Sequence, residues 1–234
     1  MSVATAEPDW LRGKVLGMTV GVLGAGRMGL GLGRAWARSG HRVVLGSRDP
    51  EALAARAGAL PSGLSVAGWA EAAAQPIVVL ATPFAATAAL VRGLAPELAG
   101  KVLVDITNPF GAAPAGQAGI TVHQAALGAP AAWVAAFKTN FAATIAAADQ
   151  PAAQCFLAAD DAGARAVATE LARDAGFAPV DCGGLDAALA LDLMVPLMIR
   201  LDRGGEGGGR SRWALLPGPR RNEAPSPGLL FGGE

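Results

Sequence analysis

The segment TVGVLGAGRMGLGLGRAWARSG (residues 19–40) joins an apolar, strand-like run to an amphipathic, helix-like run through a Gly-x-Gly-x-x-Gly motif. Gly24 permits the tight turn, Gly26 lets the backbone approach a pyrophosphate, and Gly29 lets the helix pack closely against the sheet. The N-terminus of this helix would present free N–H groups and a positive dipole end to phosphate. The segment therefore predicts the first βα unit of a dinucleotide-binding fold. The predicted contacts in this loop are Gly24, Ala25, Gly26, Arg27, Met28 and Gly29.

The second apolar run ends in Gly46-Ser47-Arg48. An NAD enzyme usually places Asp or Glu here, where the carboxylate accepts a hydrogen bond from the ribose 2′-hydroxyl. A hydroxyl and a guanidinium instead suit the oxygens of a 2′-phosphate. The following Asp49-Pro50-Glu51 is better explained as the N-cap and first turn of the next helix. Ser47 and Arg48 therefore predict NADP(H), rather than NAD(H), as the cofactor.

The rest of the chain repeats this alternation of short apolar runs and Ala-rich segments of helical length. Near-continuous apolar runs are typical of parallel strands covered on both faces. The pattern predicts an α/β, doubly wound (Rossmann), mostly parallel sheet with a small C-terminal helical part. The predicted strands are 19–24, 42–47, 76–82, 101–107, 131–137 and 154–160. The predicted helices are 27–39, 50–57, 68–74, 84–94, 162–175 and 184–202. The last is apolar nearly all round and is therefore expected to be buried, within the chain or against a partner subunit.

Four segments are predicted along the 234 residues. Residues 1–16 form an N-terminal leader, and residues 17–150 form the NADP-binding Rossmann domain. Residues 151–216 complete the sheet and the site of the second substrate. Residues 217–234, rich in Pro and Gly, form a flexible tail.

The composition argues against nucleic acid and membranes as partners. Nineteen basic residues balance nineteen acidic ones, so the chain has no net charge with which to attract nucleic acid or an anionic membrane. Mean hydropathy is +0.38, but no apolar run reaches the roughly 18 to 20 residues that a membrane span requires. The N-terminal residues also lack the pattern of a signal peptide. We therefore expect a soluble, cytoplasmic protein with a small-molecule partner, and neither nucleic acid nor membrane.

Polar residues and aromatics at the ends of other strands should complete the ligand crevice, because ligands of such sheets bind beyond the strand C-termini. The loops concerned are 81–84, 107–110 and 137–140, and Phe137 is among the predicted cofactor contacts. Thr82 and Asn108 are equally compatible with turn or cap roles. Lys138 is predicted either to bind an anionic acceptor or to be a solvated loop residue. His123 is a candidate second-substrate contact, whereas His41 is expected to be a surface or packing residue.

The sequence contains no Ser/His/Asp set, no HExxH motif and no cluster of metal ligands. It also has no Tyr, a common proton donor of carbonyl reductases. We therefore predict no catalytic side chain and no metal. A site of this kind suits direct hydride transfer, in which the protein orients the reactants and excludes water.

Several further motifs occur in one order: GSRDP (46–50), VLATPF (79–84), VLVDITNP (102–109) and AFKTNFAAT (136–144). In these motifs the chain resembles the NADP-dependent oxidoreductase family typified by coenzyme F420:NADP oxidoreductase, in its bacterial branch. The resemblance runs from about Met18 to Leu216. It implies NADP contacts at Gly24, Gly26, Ser47 and Arg48, and nicotinamide-side contacts at Thr82, Pro83 and Asn108. It also implies a homodimer, a C-terminal part that helps enclose a second cofactor, and F420 as a candidate for that cofactor.

The chain departs from the family pattern in three places. The family's GGTG loop is Gly24-Ala25-Gly26 here, which removes a hydroxyl near the phosphates. The usual KAFN is replaced by 135–138, AAFK, so one Lys is missing and another replaces Asn. The GGEGGG segment at 204–209 is also unlike the family. These changes leave the prediction of NADP(H) intact and weaken that of F420.

We predict an oxidoreductase that transfers hydride between NADP(H) and a deazaflavin (F420) or flavin-like acceptor. Two alternatives stay open. The first is an NADPH-dependent reductase of a small imine or ketone, as in pyrroline-5-carboxylate reductases, although only about seventy residues remain after Ala162 for their long helical domain. The second is a non-catalytic NADP-sensing module, which the missing catalytic side chains fit equally well.

Overall fold

The computed structural model describes residues 17–145, 153–205 and 208–216. Eight strands form one sheet in the order β3-β2-β1-β4-β5-β6-β7-β8. The first six strands in the chain are parallel, β7 runs antiparallel to β6, and β8 is parallel to β7. The strands are β1 Thr19–Leu23, β2 Arg42–Ser47, β3 Leu64–Gly68, β4 Ile77–Leu80, β5 Val102–Asp105, β6 Ala132–Ala135, β7 Gln154–Ala159 and β8 Ala178–Asp181. The predicted doubly wound, mostly parallel sheet is confirmed.

Helices cover both faces of this sheet, which explains why the strands are apolar on both sides. One buried cluster joins the sheet to α1, α2 and α7, and the other joins it to α3, α4, α5, α6 and α8. Helix α1 is tied to α7 by the Trp36 indole, whose Nε1 donates to the Leu171 carbonyl at 2.7 Å. The helices are α1 Arg27–Arg38, α2 Pro50–Ala57, α3 Trp69–Ala73, α4 Phe84–Gly93, α5 Ala95–Leu98, α6 Gly119–Leu127, α7 Ala162–Asp174 and α8 Ala188–Gly204.

The sequence pattern missed two strands and two helices. Strand β3 is an edge strand with mixed burial, so it lacks the apolar run of a central strand. Strand β8 contains Pro179, which is tolerated because β8 lies at the opposite edge of the sheet. Helix α5 has only four residues, and α6 follows a Pro- and Gly-rich loop that hid its start.

The last long helix is only partly buried within the described chain, and its burial against a partner subunit stays a prediction. One face of α8 is buried, with residues such as Leu191, Val195 and Met198, and the helix contacts α6. The opposite face exposes Leu193, Leu197 and Leu201 at 66%, 49% and 59%. The helix therefore carries an apolar stripe that the rest of the described chain does not cover.

The predicted division at residue 150 falls in 146–152, outside the described residues. Strands β7 and β8 extend the same sheet as β1 to β6. The predicted leader (1–16) and tail (217–234) also lie outside the described residues. Among the helices that the structure describes, none combines the length and the apolar character needed to cross a membrane.

His41 is a packing residue, as expected. Its side chain is only 4% exposed at the start of β2. Nδ1 accepts a hydrogen bond from the Met18 backbone N–H at 3.0 Å, and Nε2 lies 2.8 Å from the Asp174 carboxylate. This residue lies at the end of the sheet opposite to the ligand edge.

Candidate functional site

The glycine loop between β1 and α1 is shaped by close backbone contacts. Gly24 has φ +119°, which L side chains rarely adopt, and a Cβ there would lie 2.6 Å from the Ala81 carbonyl oxygen. A Cβ on Gly29 would lie 2.0 Å from the Gly24 carbonyl oxygen. The third glycine therefore brings α1 against the loop, which is the packing role predicted for it.

The first turn of α1 is left open for an anion. Gly26 is the N-cap in extended conformation, no side chain caps the helix, and the first turn holds no acidic residue. A Cβ on Gly26 would meet nothing within 4 Å. The orphan N–H groups of the helix start, its dipole and the free space above Gly26 together fit a pyrophosphate.

A cleft of about 970 Å³ runs along the carboxyl ends of β1, β2, β4 and β5. It brings together ten of the twelve predicted contacts. These are Gly24, Ala25, Gly26, Arg27, Met28, Ser47, Arg48, Thr82, Pro83 and Asn108. Gly29 lies beneath the loop instead, consistent with packing and not with ligand contact.

The prediction of a cofactor contact at Phe137 is wrong. The ring is 1% exposed and packs edge-to-face between Trp36 and Phe177, with centroids 6.0 and 5.8 Å away. The backbone at Phe137 has φ +56° after the end of β6, a conformation that differs from an extended strand end. The aromatics that do line the cleft are Phe84 and Phe110 from the two neighbouring loops.

At one end of the cleft, α2 begins directly after Ser47 and Arg48. The Asp49 carboxylate accepts from the Ala52 N–H at 2.9 Å, which confirms it as the N-cap of α2. The Ser47 hydroxyl forms a tight turn with the Asp49 backbone, donating to its carbonyl at 2.9 Å. Arg48 is exposed at the rim of the cleft. The carboxylate of this turn, Asp49, therefore caps α2, and the Arg48 guanidinium lies at the rim of the cleft.

Two further residues line this end of the cleft, Arg56 and Trp69, and the sequence pattern did not predict them. Arg56 stands in the last turn of α2, and its Nη2 lies 3.5 Å from the Ala25 carbonyl oxygen. Arg56 lies eight residues after Arg48 on a predicted helix, and this spacing could have predicted its place beside the cleft. Trp69 lies at the start of a predicted helix, but the strand before it was not predicted, so nothing placed its side chain at a strand end beside the cleft.

At the other end, Thr82 and Asn108 stand at the ends of β4 and β5. The Thr82 hydroxyl is paired with the Thr87 hydroxyl at 2.8 Å, so it also stabilises the start of α4. The Asn108 amide donates to the Lys138 carbonyl at 3.0 Å. Its Oδ1 is buried without a hydrogen-bond partner among the described residues. This hydrogen-bond acceptor suits a ligand with an N–H donor, such as a carboxamide.

A second cavity of about 640 Å³ adjoins the cleft and shares Arg27, Met28, Asn108 and Phe110 with it. Its farther wall is mostly apolar and comes from the segment after β6 and from α8. That wall includes Phe141, Val195, Met198 and Ile199. Phe110 stands between the two spaces, 62% exposed and with φ +47°.

Lys138 and His123 do not have the predicted surroundings. The Lys138 side chain is buried, with Nζ 2.9 Å from Asp192 Oδ1 and donating to the Thr107 carbonyl at 2.6 Å. His123 is also buried, and its Nδ1 donates to Asp105 Oδ2 at 2.7 Å. Lys138 is therefore not a solvated loop residue, and its ammonium is committed to protein partners and not to a bound anion. His123 is not placed to touch a substrate in either cavity.

The fold and the cleft agree with comparisons against known proteins. The family model described as NADP oxidoreductase coenzyme F420-dependent matches residues 19–109, from β1 to the loop after β5. The F420-dependent NADP reductase of Methanothermobacter thermautotrophicus is 31% identical over 211 residues, covering 81% of this chain and 91% of that protein. The chain belongs to this family. It is therefore an NADP-dependent oxidoreductase, and NADP(H) is its cofactor.

Two solved structures are similar to this family member. A protein from Arthrobacter sp. FB24, described as a candidate F420-dependent NADP reductase, shares 30% identity with a TM-score of 0.66, over 80% of this chain and 95% of that one. An imine reductase from Myxococcus stipitatus has a TM-score of 0.58 at 20% identity, over 82% of this chain and 62% of that one. The second likeness shows the fold alone.

The residues of this oxidoreductase fit NADP(H) along the whole cleft. The uncapped α1 terminus suits the pyrophosphate, the Ser47–Arg48 turn suits the 2′-phosphate, and the unpartnered Asn108 oxygen suits the nicotinamide carboxamide. Family membership among oxidoreductases argues against the alternative of a non-catalytic NADP-sensing module.

Proposed function

We propose that this protein transfers hydride between NADP(H) and a deazaflavin, such as F420, or a flavin-like planar acceptor. The observation that carries the proposal is the continuity of the two cavities. They share four residues at the predicted nicotinamide end of the cleft. A second reactant in the second cavity would therefore lie beside the nicotinamide end.

The second cavity has the size and lining that a flat ring system needs. Its volume of about 640 Å³ lies within the range of roughly 300 to 1,000 Å³ usual for small-ligand sites. Apolar side chains from Met28, Phe141 and α8 line its walls, while Asn108 and Asn140 supply polar atoms. The names of the family relatives, which specify F420, support a deazaflavin as the acceptor.

The roles of the protein in this proposal are binding, orientation and exclusion of water. Arg27 and Gly26 hold the phosphates, Arg48 selects the 2′-phosphate, and Thr82, Pro83 and Asn108 orient the nicotinamide end. The bound nicotinamide supplies or accepts the hydride itself. Among the described residues that line the two cavities there is no Asp, Glu or His. This lining suits a hydride transfer that needs orientation more than a proton from a protein side chain.

The experiment is an acceptor panel. Purified protein is mixed with NADPH and, separately, with F420, FMN, FAD and a cyclic imine, and NADPH oxidation is followed by absorbance. We expect acceptor-dependent oxidation with F420 or a flavin. Turnover of the imine alone would favour the imine reductase alternative. Tight NADPH binding without turnover of any acceptor would overturn the proposal and favour a sensing module.

A further inference from the structure

Four buried titratable side chains lie behind the cleft, and the proposed hydride transfer uses none of them. They are Asp105 at the end of β5, His123 on α6, Lys138 after β6 and Asp192 on α8. The side chains of Asp105, His123 and Lys138 are fully buried, and that of Asp192 is 4% exposed. The burial of these charged groups requires an explanation, because moving each ion out of water costs free energy.

Lys138 joins the loops that follow β5 and β6. Its Nζ donates to the Thr107 carbonyl at 2.6 Å, and its own carbonyl accepts from the Asn108 amide at 3.0 Å. Asp105 lies 3.9 Å from Nζ and also accepts from the Thr107 N–H at 2.8 Å. Lys138 therefore fixes the carbonyl that precedes Asn108 and the side-chain amide of Asn108, which lines both cavities.

Asp192 carries the same connection into α8. Oδ1 lies 2.9 Å from Lys138 Nζ, and Oδ2 accepts from the Gly119 N–H at the start of α6 at 2.7 Å. Val195 and Ile199, three and seven residues further along α8, lie on the same helix face and line the second cavity. The carboxylate is thus the polar anchor of the helix that forms the acceptor wall.

The physical chemistry favours a role in geometry over one in stability. Replacing a buried ion pair by apolar residues is often neutral or stabilising, so such a pair is weak evidence of a stabilising function. Lys138 nevertheless donates a hydrogen bond to the Thr107 carbonyl, and Asp192 accepts one from the Gly119 N–H. These bonds fix direction as well as distance, which apolar packing does not, and the 2.9 Å ion pair between Lys138 Nζ and Asp192 Oδ1 joins them. These contacts link the cleft and the second cavity at the point where they meet.

We propose that Lys138 and Asp192 are positioning residues that hold α8 and Asn108 in the arrangement required by the hydride acceptor. This inference rests on the proposed function, because it assigns the second cavity to the acceptor. Lys138 borders the second cavity, but its side chain is fully buried behind the surface. Both side chains act through the Thr107 carbonyl, Asn108 and the α8 wall. A displacement of about 1 Å at a reacting centre can lower a rate about a hundredfold.

The test is Lys138→Met, which keeps the length of the side chain and removes its charge. The matched control is Lys101→Met, because Lys101 lies before β5 at the opposite end of that strand and donates to the Ala73 carbonyl. We expect Lys138→Met to raise KM for the acceptor or lower kcat by about tenfold to a hundredfold. The Kd for NADPH should change less than the acceptor kinetics do, because the phosphate contacts are distant and only the contact of Asn108 with the nicotinamide end is disturbed. The control should leave all three values near wild type.

A double variant, Lys138→Met with Asp192→Leu, separates positioning from stability. We expect it to regain much of the thermal stability lost by Lys138→Met, while acceptor kinetics stay impaired. Recovery of both stability and acceptor kinetics would overturn the proposal, as would wild-type acceptor kinetics in Lys138→Met.

If the wild-type protein reduces no acceptor, the proposed function fails, and hydrogen exchange of the NADPH complex decides the positioning role. Faster exchange at 106–109 and 188–199, with α1 unchanged, would support it, and unchanged exchange there would refute it.

Discussion

Gly26 and Gly29 belong to one motif, but the space around their Cα atoms differs. Gly26 has φ −71°, a conformation open to any residue, and faces the cleft with nothing within 4 Å of a Cβ. Gly29 faces the Gly24 carbonyl. We expect Gly26→Ala to keep the melting temperature near wild type and to weaken NADPH binding about tenfold, because the methyl group occupies the phosphate space. Calorimetry and a fluorescence titration with NADPH measure the two effects.

Gly29→Ala is the comparison for this variant. Its methyl group would overlap the loop backbone, so it should lower the free energy of unfolding by about 1–3 kcal/mol. A Gly26→Ala protein that binds NADPH as tightly as wild type would show that the phosphates do not lie above Gly26.

Arg48 is the residue to which we assign the choice of cofactor. Arg48→Ala should weaken NADPH binding by about tenfold or more, since one charge-assisted hydrogen bond contributes about 1.5–3 kcal/mol. NADH binding should be nearly unchanged, because NADH lacks the 2′-phosphate. Parallel titrations with NADPH and NADH measure the difference. Arg92→Ala, an exposed Arg on α4 away from the cleft, is the control. An equal loss of affinity for both cofactors would remove Arg48 from this role.

Among the elements, β5 ends in the buried carboxylate of Asp105, which connects the strand to α6 and to the loop after β6. Burial alone would raise the pKa of Asp105, but the charge of Lys138 and the hydrogen bond and charge of His123 lower it below its ordinary value of 3.8. The Thr107 N–H adds to this lowering. A carboxyl group with a pKa lower in the folded than in the unfolded state stabilises the fold above the unfolded pKa. That stabilisation is lost as pH falls through the folded pKa.

We therefore expect Asp105→Asn to lower the free energy of unfolding at pH 7 by about 3–5 kcal/mol. It leaves His123 without its buried anion and removes one of the two carboxylates beside Lys138. The difference from wild type should shrink as pH falls below 3.8 towards the folded pKa. Urea unfolding across this pH range measures it. Glu51→Gln, which neutralises an exposed carboxylate on α2, should change stability by less than about 0.5 kcal/mol. A constant difference between Asp105→Asn and wild type at all pH values would contradict the assignment.

For the whole molecule, the exposed stripe of α8 bears on assembly. Leu193, Leu197 and Leu201 recur every four residues and are all exposed. We propose that a second copy of the chain covers this stripe and forms the homodimer that the family resemblance implies.

The Leu197→Glu substitution should then shift the molar mass from two chains to one, because it places a charge in an apolar interface. Light scattering after size-exclusion chromatography measures the mass. Leu216→Glu, at an exposed Leu outside α8, is the control. A wild-type monomer, or a Leu197→Glu dimer, would contradict the proposal.

The sequence by itself determined the features that depend on local chemistry. The alternation of apolar runs and helical segments predicted the parallel sheet. The order Gly24, Gly26, Ser47 and Arg48 predicted the NADP cleft, because a tight turn, a helix N-terminus and a 2′-phosphate contact each require particular residues at fixed spacing. The N-cap role of Asp49 followed from the same kind of local rule.

Only the tertiary structure decided where side chains near the strand ends point. Phe137 and Phe110 both follow strands, yet one is buried against Trp36 and the other borders both cavities. Lys138 has no acidic neighbour in the sequence, and its partner Asp192 is brought to it by the packing of α8. Burial and ion pairing depend on elements that are distant in the chain. Their outcome is therefore fixed by packing and not by spacing.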